Sequence, residues 1–188
     1  MIICIMVRKE SPICEFDLPA IDFKLKGVDE KYYDLNSLHG TNGLLIMFIC
    51  NHCPYVKSII DRIIRDTKEL KNLGINSVGI MSNDSNEYEE DSFENMKKIA
   101  LDLDFPFPYL IDETQEVAKA YGAVCTPDFF GYNKKLGLQY RGRLDKSRKE
   151  SIDGAKRELF EAMKEIATTG NGPTKQIPSM GCSIKWFD

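Results

Sequence analysis

Leu44-Leu45-Ile46-Met47-Phe48-Ile49 is an unbroken apolar run of strand length, the pattern of a strand covered on both faces. It runs into Cys50-Asn51-His52-Cys53, after which the period changes. Val56, Ile59, Ile60, Ile63, Ile64, Leu70 and Leu73 recur at helical spacing, and Gly74 ends the segment. Ile75–Met81 predicts a second strand, the polar, acidic stretch from Ser82 to Glu90 has no period, and the acidic run around Asp84 to Asp91 predicts a solvated loop. Asp91-Ser92-Phe93-Glu94 resembles a capping box for a helix with Phe93, Met96, Ala100 and Leu103 on one face. Pro106 to Ile111 predicts a short strand, and Asp112–Gln115 a second capping box for a helix through Tyr121 that Gly122 ends. Phe129–Tyr132 and Leu138–Arg143 predict a hairpin turning through Asn133–Gly137. Ile152, Ala155, Leu159, Met163 and Ile166 predict a last helix ending near Gly170.

Ahead of the core, residues 15–42 read as short strands and turns, with a hairpin about Gly27-Val28-Asp29-Glu30 and a loop from Leu38 to Gly43. The element order is a hairpin, then βαβ, αβ, α and a closing ββα. This is a thioredoxin-like α/β layout of the glutaredoxin type with an N-terminal β-hairpin extension. Residues 1–170 form the expected domain. Residues 171–188, with two prolines and two glycines, form a tail strapped to its surface through Trp186 and Phe187.

Composition narrows the functional classes. The 188 residues are 43% apolar and 29% charged, ordinary for a globular protein with a full core. A net charge of −4 disfavours nucleic acid and acidic membrane surfaces as partners, and no apolar run is long enough to span a bilayer. The apolar start, Met1 to Val7, is too short for a secretory signal and its positive charges follow it, so the expected location is the cytoplasm. Six cysteines are too few for a disulfide-stapled scaffold. Only Cys50 and Cys53 form a local pair, which in a reducing compartment points to catalysis or metal binding.

A strand, two cysteines three residues apart and a helix together provide what thiol chemistry needs. The sulfurs stand at a helix N-terminus that favours a thiolate, and one turn holds them close enough to bridge. Zinc needs two further ligands, and only the scattered Cys125, Cys182 and His39 are on offer, so neither a metal nor a cofactor is expected. His52, between the cysteines, would stabilise a thiolate as imidazolium. Pro54 suits the first turn of the helix, with Asn51 as its cap. Cys50, the outer thiol, is the expected attacker and Cys53 the resolver. Cys4 and Cys14 receive no role, Cys125 reads as a small buried residue, Cys182 as a packed tail residue with a mobile third thiol that resolves a mixed disulfide as the alternative, and Arg141 and Arg143 as a solvated strand edge.

The segments Cys50-Asn51-His52-Cys53-Pro54-Tyr55-Val56, Thr126-Pro127-Asp128-Phe129-Phe130 and Gly181-Cys182-Ser183-Ile184-Lys185-Trp186 resemble the thioredoxin-fold AhpC/TSA, or peroxiredoxin-like, proteins over nearly the whole chain. The resemblance implies that Cys50 and Cys53 are the redox pair. It makes Pro127 a cis-proline facing them, with the Thr126 backbone beside an extended substrate, and gives His52 the place of the histidine before the second cysteine in protein disulfide isomerase. Two departures matter. The peroxiredoxin pattern Pro-x-x-x-Thr-x-x-Cys, laid on Cys53, finds Ile46 and Cys50 where proline and threonine belong, and no arginine stands near Thr126-Pro127. The buried acid of thioredoxins is replaced by Leu44. The expected activity is therefore thiol–disulfide oxidoreduction. It would act on a protein or small-molecule disulfide, with a thioredoxin-like or low-molecular-weight thiol as electron donor. The alternatives are a thiol peroxidase with Cys53 as peroxidatic cysteine, and a copper or zinc chaperone using the same cysteines.

Overall fold

The computed structural model describes residues 8–187. Cys4 and the apolar start lie outside the described residues. The central run forms β4 (Gly43–Phe48), parallel to β5 (Ile75–Met81) on one side and antiparallel to β8 (Asp128–Asn133) on the other. β6 (Tyr109–Ile111) continues the sheet beyond β5, and β9 (Leu138–Tyr140) completes the hairpin with β8. The expected N-terminal hairpin, β2 (Leu25–Gly27) and β3 (Tyr32–Tyr33), pairs antiparallel with β6. It lengthens the sheet to seven strands in the order β3-β2-β6-β5-β4-β8-β9.

Because side chains alternate across a strand, the apolar run in β4 serves two cores. Leu45, Met47 and Ile49 face a layer built by α3 (Ile60–Asn72), α4 (Phe93–Asp102) and α6 (Glu158–Thr169), through Ile63, Leu70, Met96, Met163 and Ile166. Leu44, Ile46 and Phe48 face α1 (Leu35–Leu38) and α5 (Glu116–Tyr121), through Leu35, Leu38, Ala118 and Tyr121. The β4–α–β5 unit followed by β8–β9–α6 is the thioredoxin-like α/β fold expected from the pattern.

The departures have local causes. The helix after the cysteines is two pieces, α2 (Pro54–Lys57) and α3, separated at Ile59, where φ −128° and ψ 0° leave the helical region. α3 ends at Gly74, whose φ of +76° favours glycine. Asp34 makes a full capping box with Ser37 and opens α1, a short helix just ahead of the loop expected from Leu38 to Gly43. In the stretch from residue 15 read as short strands and turns, no strand forms about Phe16, Leu18 and Ile21. These side chains are exposed, and the segment is held by the bridge from Pro19 to Gly137 and by backbone hydrogen bonds to Leu136 and Leu138. α6 starts at Glu158, leaving Ile152 and Ala155 outside it.

The chain after Gly170 does more than strap. Met180–Ser183 form β10, the middle strand of a second sheet between β1 (Arg8–Glu10) and β7 (Cys125–Thr126). Cys182 stands in register opposite Thr126, and Ser183 opposite Cys125. Trp186 is partly buried against the second core, and Phe187 is exposed, although its N–H reaches the Gln115 side chain at 2.8 Å. No helix among the described residues is long and apolar enough to cross a membrane.

Candidate active site

Residues 50–53 link the end of β4 to α2, and a single buried carboxylate shapes the link. Asp91, in a 3₁₀ turn (Glu89–Asp91), is fully buried. One of its oxygens accepts the N–H of Asn51 at 2.7 Å and of His52 at 3.1 Å. The other accepts the Asn83 amide at 2.9 Å and lies 2.6 Å from His52 Nδ1. The acidic run ending at Asp91 was expected to be solvated; Asp91 turns inward because the cysteine loop offers it three donors and Asn83 a fourth. Ser92 takes over as helix cap, accepting from Asn95 N. Asn51 does not cap α2 either. Its amide donates to Glu90 O at 2.8 Å, and its carbonyl oxygen accepts from the Tyr109 hydroxyl at 3.0 Å. Cys53 holds the N-cap position with no side-chain capping bond, and Pro54 opens α2 as expected.

The His52 ring stacks on Tyr88 at 4.7 Å between centroids, with its Nδ1 on Asp91 and its Nε2 buried with no hydrogen-bond partner. Cys50 Sγ, a ring nitrogen of His52 and an oxygen of Asp91 lie within 4.8 Å of one another. These three are the described side chains that could ligate an ion. The fit is partial, because both Asp91 oxygens already accept hydrogen bonds.

Opposite the loop, Thr126–Pro127 is a cis peptide, as the resemblance implied. Cys50 Sγ is 3.3 Å from Thr126 Oγ1, and Cys53 Sγ is 3.1 Å from the Thr126 carbonyl oxygen. The next neighbour comes from the tail, where the packed reading was preferred to that of a third thiol: Cys182 Sγ, on β10, is 3.0 Å from Cys53 Sγ. All three sulfurs belong to residues at most 2% exposed. Cys125 is buried too, with Sγ 3.6 Å from Pro127 O; burial pushes its thiol far up and leaves it inert.

The electrostatics separate the two cysteines of the motif in an order opposite to the expected one. Burial pushes the Cys50 thiol well above its ordinary value, and the Cys53 sulfur and the Asp91 charge push it the same way. Burial also opposes ionisation of Cys53, but hydrogen bonds from Cys182, Cys50 and Thr126 outweigh it and hold this thiol well below the usual range. The Thr126 carbonyl on the other side favours the protonated form and is outvoted. Cys182 is raised as the donor to that thiolate. The site therefore concentrates negative charge on Cys53 and keeps protons on Cys50 and Cys182.

The two arginines expected at a solvated edge are both committed. Arg141 is buried, donates to Asp128 at 3.1 Å and to Gly122 O at 2.7 Å, and stacks on Phe130. Burial raises the Asp128 carboxyl to about 6, with Arg141 pulling it back. Arg143 forms a bidentate pair with Glu158 at 2.7 and 2.9 Å. A cleft of about 170 Å³ opens beside Pro127, walled by Tyr55, Ile59, Leu144, Ser179 and Met180.

The sequence of residues 17–146 matches the AhpC/TSA family model. An uncharacterised conserved protein of Geobacillus kaustophilus is 44% identical, with 97% of each chain covered and a TM-score of 0.91. A hypothetical protein of Sinorhizobium meliloti is 33% identical over 95% of this chain and 98% of its own, with a TM-score of 0.88. A thiol:disulfide interchange protein of the thioredoxin family from Chlorobium tepidum shares the fold at 21% identity, with 79% of this chain and 94% of that one covered and a TM-score of 0.59. No curated protein matches the chain.

Proposed function

The chain belongs to the AhpC/TSA family, and from that premise we propose that it is a thiol–disulfide oxidoreductase acting through Cys53. The observation that carries this reading is the asymmetry of the cysteine pair: a thiolate is favoured at Cys53 while its neighbours keep their protons. Disulfide exchange needs that division of labour. The Cys53 thiolate attacks one sulfur of R–S–S–R′ and expels R–S⁻, which takes up a proton. A second protein thiol then loses its proton, attacks Cys53 Sγ and expels R′–S⁻. Two protein thiols are oxidised and one disulfide is reduced. A thioredoxin-like protein or a low-molecular-weight thiol returns the two electrons. Cys50, Thr126 and Pro127 frame the reacting sulfur, and His52 holds the loop through Asp91. A reducing compartment such as the cytoplasm suits the free thiols at positions 14, 50, 53, 125 and 182.

Thiol peroxidation is the nearest rival, and the arginines argue against it. A peroxidase needs preorganised donors for the departing oxygen, and losing one costs on the order of 10²–10³ in rate. Arg141 and Arg143 are spent on Asp128 and Glu158, and a thiol fills the hydroxyl position at Cys50. The cluster of Cys50, His52 and Asp91 is the one observation favouring a soft-metal cargo. A parallel assay separates the readings. Reduction of insulin and of oxidised glutathione is followed beside consumption of hydrogen peroxide and stoichiometric uptake of zinc or copper(I). Disulfide reduction that is lost in Cys53→Ser supports the proposal; rapid peroxide consumption, or tight metal uptake with no disulfide reduction, refutes it.

A further inference from the structure

The motif pairs Cys53 with Cys50, whose thiol hydrogen-bonds it, yet a third sulfur, that of Cys182, also stands 3.0 Å from Cys53 Sγ. Among its neighbours, Cys182 is also the strongest influence drawing the Cys53 thiol down. Its position is built by several independent contacts. β10 lies between β1 and β7, with Cys182 paired in register to Thr126. The Gly181 backbone packs so closely on Thr126 that an added Cβ would stand 2.0 Å from the Thr126 carbonyl oxygen. Upstream, Ser179 Oγ donates to Pro127 O at 2.6 Å. Downstream, Lys185 N donates to Asn83 Oδ1 at 2.9 Å, and the Asn83 amide in turn reaches Asp91, so the tail and the cysteine loop share one network.

We propose that Cys182 is a third redox residue, the thiol that resolves the mixed disulfide on Cys53 to give a Cys53–Cys182 disulfide linking the tail to the core. The proposal rests on the disulfide-exchange reading above and goes beyond it by moving the resolving step out of the motif. Once Cys53 has attacked R–S–S–R′ and released R–S⁻, it carries S–R′ and no longer holds the negative charge that kept Cys182 protonated. Cys182 loses its proton to the departing thiolate or to solvent, attacks Cys53 Sγ, and R′–S⁻ leaves with the electron pair of the broken bond. The two sulfurs need to close only from 3.0 Å to the bond length of about 2.05 Å. Cys50, still pressed toward its thiol form by burial and by the Asp91 charge, is the poorer nucleophile for this step. The edge of Thr126 is already occupied by β10, so an incoming chain cannot add a strand there while Cys182 is in place.

The test is disulfide mapping of the reduced full chain after limited exposure to oxidised glutathione, acid quench and alkylation. Wild type, Cys50→Ser, Cys182→Ser and, as a control outside the site, Cys125→Ser are compared. Cys53–Cys182 is the expected main linkage in wild type, Cys125→Ser and Cys50→Ser. Cys182→Ser should accumulate glutathione on Cys53, at least tenfold above wild type. Exclusive Cys50–Cys53 linkage in wild type, with glutathione retained on Cys53 in Cys50→Ser, overturns the proposal and leaves the exchange reading standing. Cys53 that takes up no glutathione and forms no disulfide in any variant sinks both. The wild-type map decides the question even where a variant folds poorly.

Discussion

Asp91→Ala tests whether one buried carboxylate holds the cysteine loop in place. The side chain accepts four hydrogen bonds, two from loop backbone N–H groups, one from Asn83 and one shared with His52 Nδ1. At about 1.5 kcal/mol for each bond to a charged group, they total about 6 kcal/mol. The mutant no longer buries a carboxylate, which offsets part of that sum. A loss of about 3–5 kcal/mol remains, the usual cost of breaking a buried ionic cluster. Against a domain stability of about 5–15 kcal/mol this is a large fraction. Urea unfolding should show a lower midpoint with an unchanged slope. Asp153→Ala, at an exposed position, supplies the baseline. The gentler Asp91→Asn keeps an oxygen for the backbone donors but removes the charge that raises Cys50, so the Cys50 thiol should titrate at lower pH. Asp91→Ala as stable as Asp153→Ala within about 0.5 kcal/mol, the usual range for surface changes, would refute the reasoning.

Other expectations follow from the same geometry. The Asp128 carboxyl, raised from 3.8 to about 6, contributes stability that is full below its unfolded value and lost as pH rises through 6. Asp128→Asn should therefore flatten the dependence of the urea midpoint on pH between 4 and 6, and an unaltered slope would contradict it. Gly181→Ala should push β10 off Thr126 and open the sulfurs, so a bulky thiol reagent should reach Cys53 faster than in wild type; equal rates would show that the strand does not cover the site. Arg143→Ala removes a partly exposed bidentate pair and should cost about 1 kcal/mol or less, leaving a slow reaction with peroxide unchanged. A rate constant for peroxide near 10⁷ M⁻¹s⁻¹ in wild type, abolished in that variant, would make the arginine the missing donor.

What could be read from the chain divides along physical lines. The core strands were legible because β4 and β5 are apolar on both faces at strand length, and Gly74, Gly122 and Gly170 mark helix ends by backbone conformation. Cys50 and Cys53 declared themselves by spacing, and Pro127 by resemblance. Asp91 was hidden because an aspartate in an acidic stretch looks the same whether it faces water or four donors. Only the fold brings Asn83 and the 50–53 loop around it. The choice between a packed and a resolving Cys182 could not be made for a similar reason. Cys182 lies 129 residues from Cys53, and the register of β10 on β7, which local spacing does not encode, brings the sulfurs together. The order of ionisation followed from those two misses, since Asp91 raises Cys50 and Cys182 lowers Cys53. Arg141 was misread because the chain just beyond β9 looks like a polar edge until the buried Asp128 on β8 is known.

The central claim is that reduced Cys53 carries a thiolate at neutral pH while its neighbours do not. Thiolate absorbance near 240 nm, measured on the reduced protein from pH 4 to 10 and referenced to Cys53→Ser, reads this directly and needs no reagent to enter the buried site. One thiolate's worth of difference should already be present at pH 5 and stay level through pH 8. A difference that is absent at pH 5 and grows in only near the ordinary thiol value of about 8.5 would contradict the account.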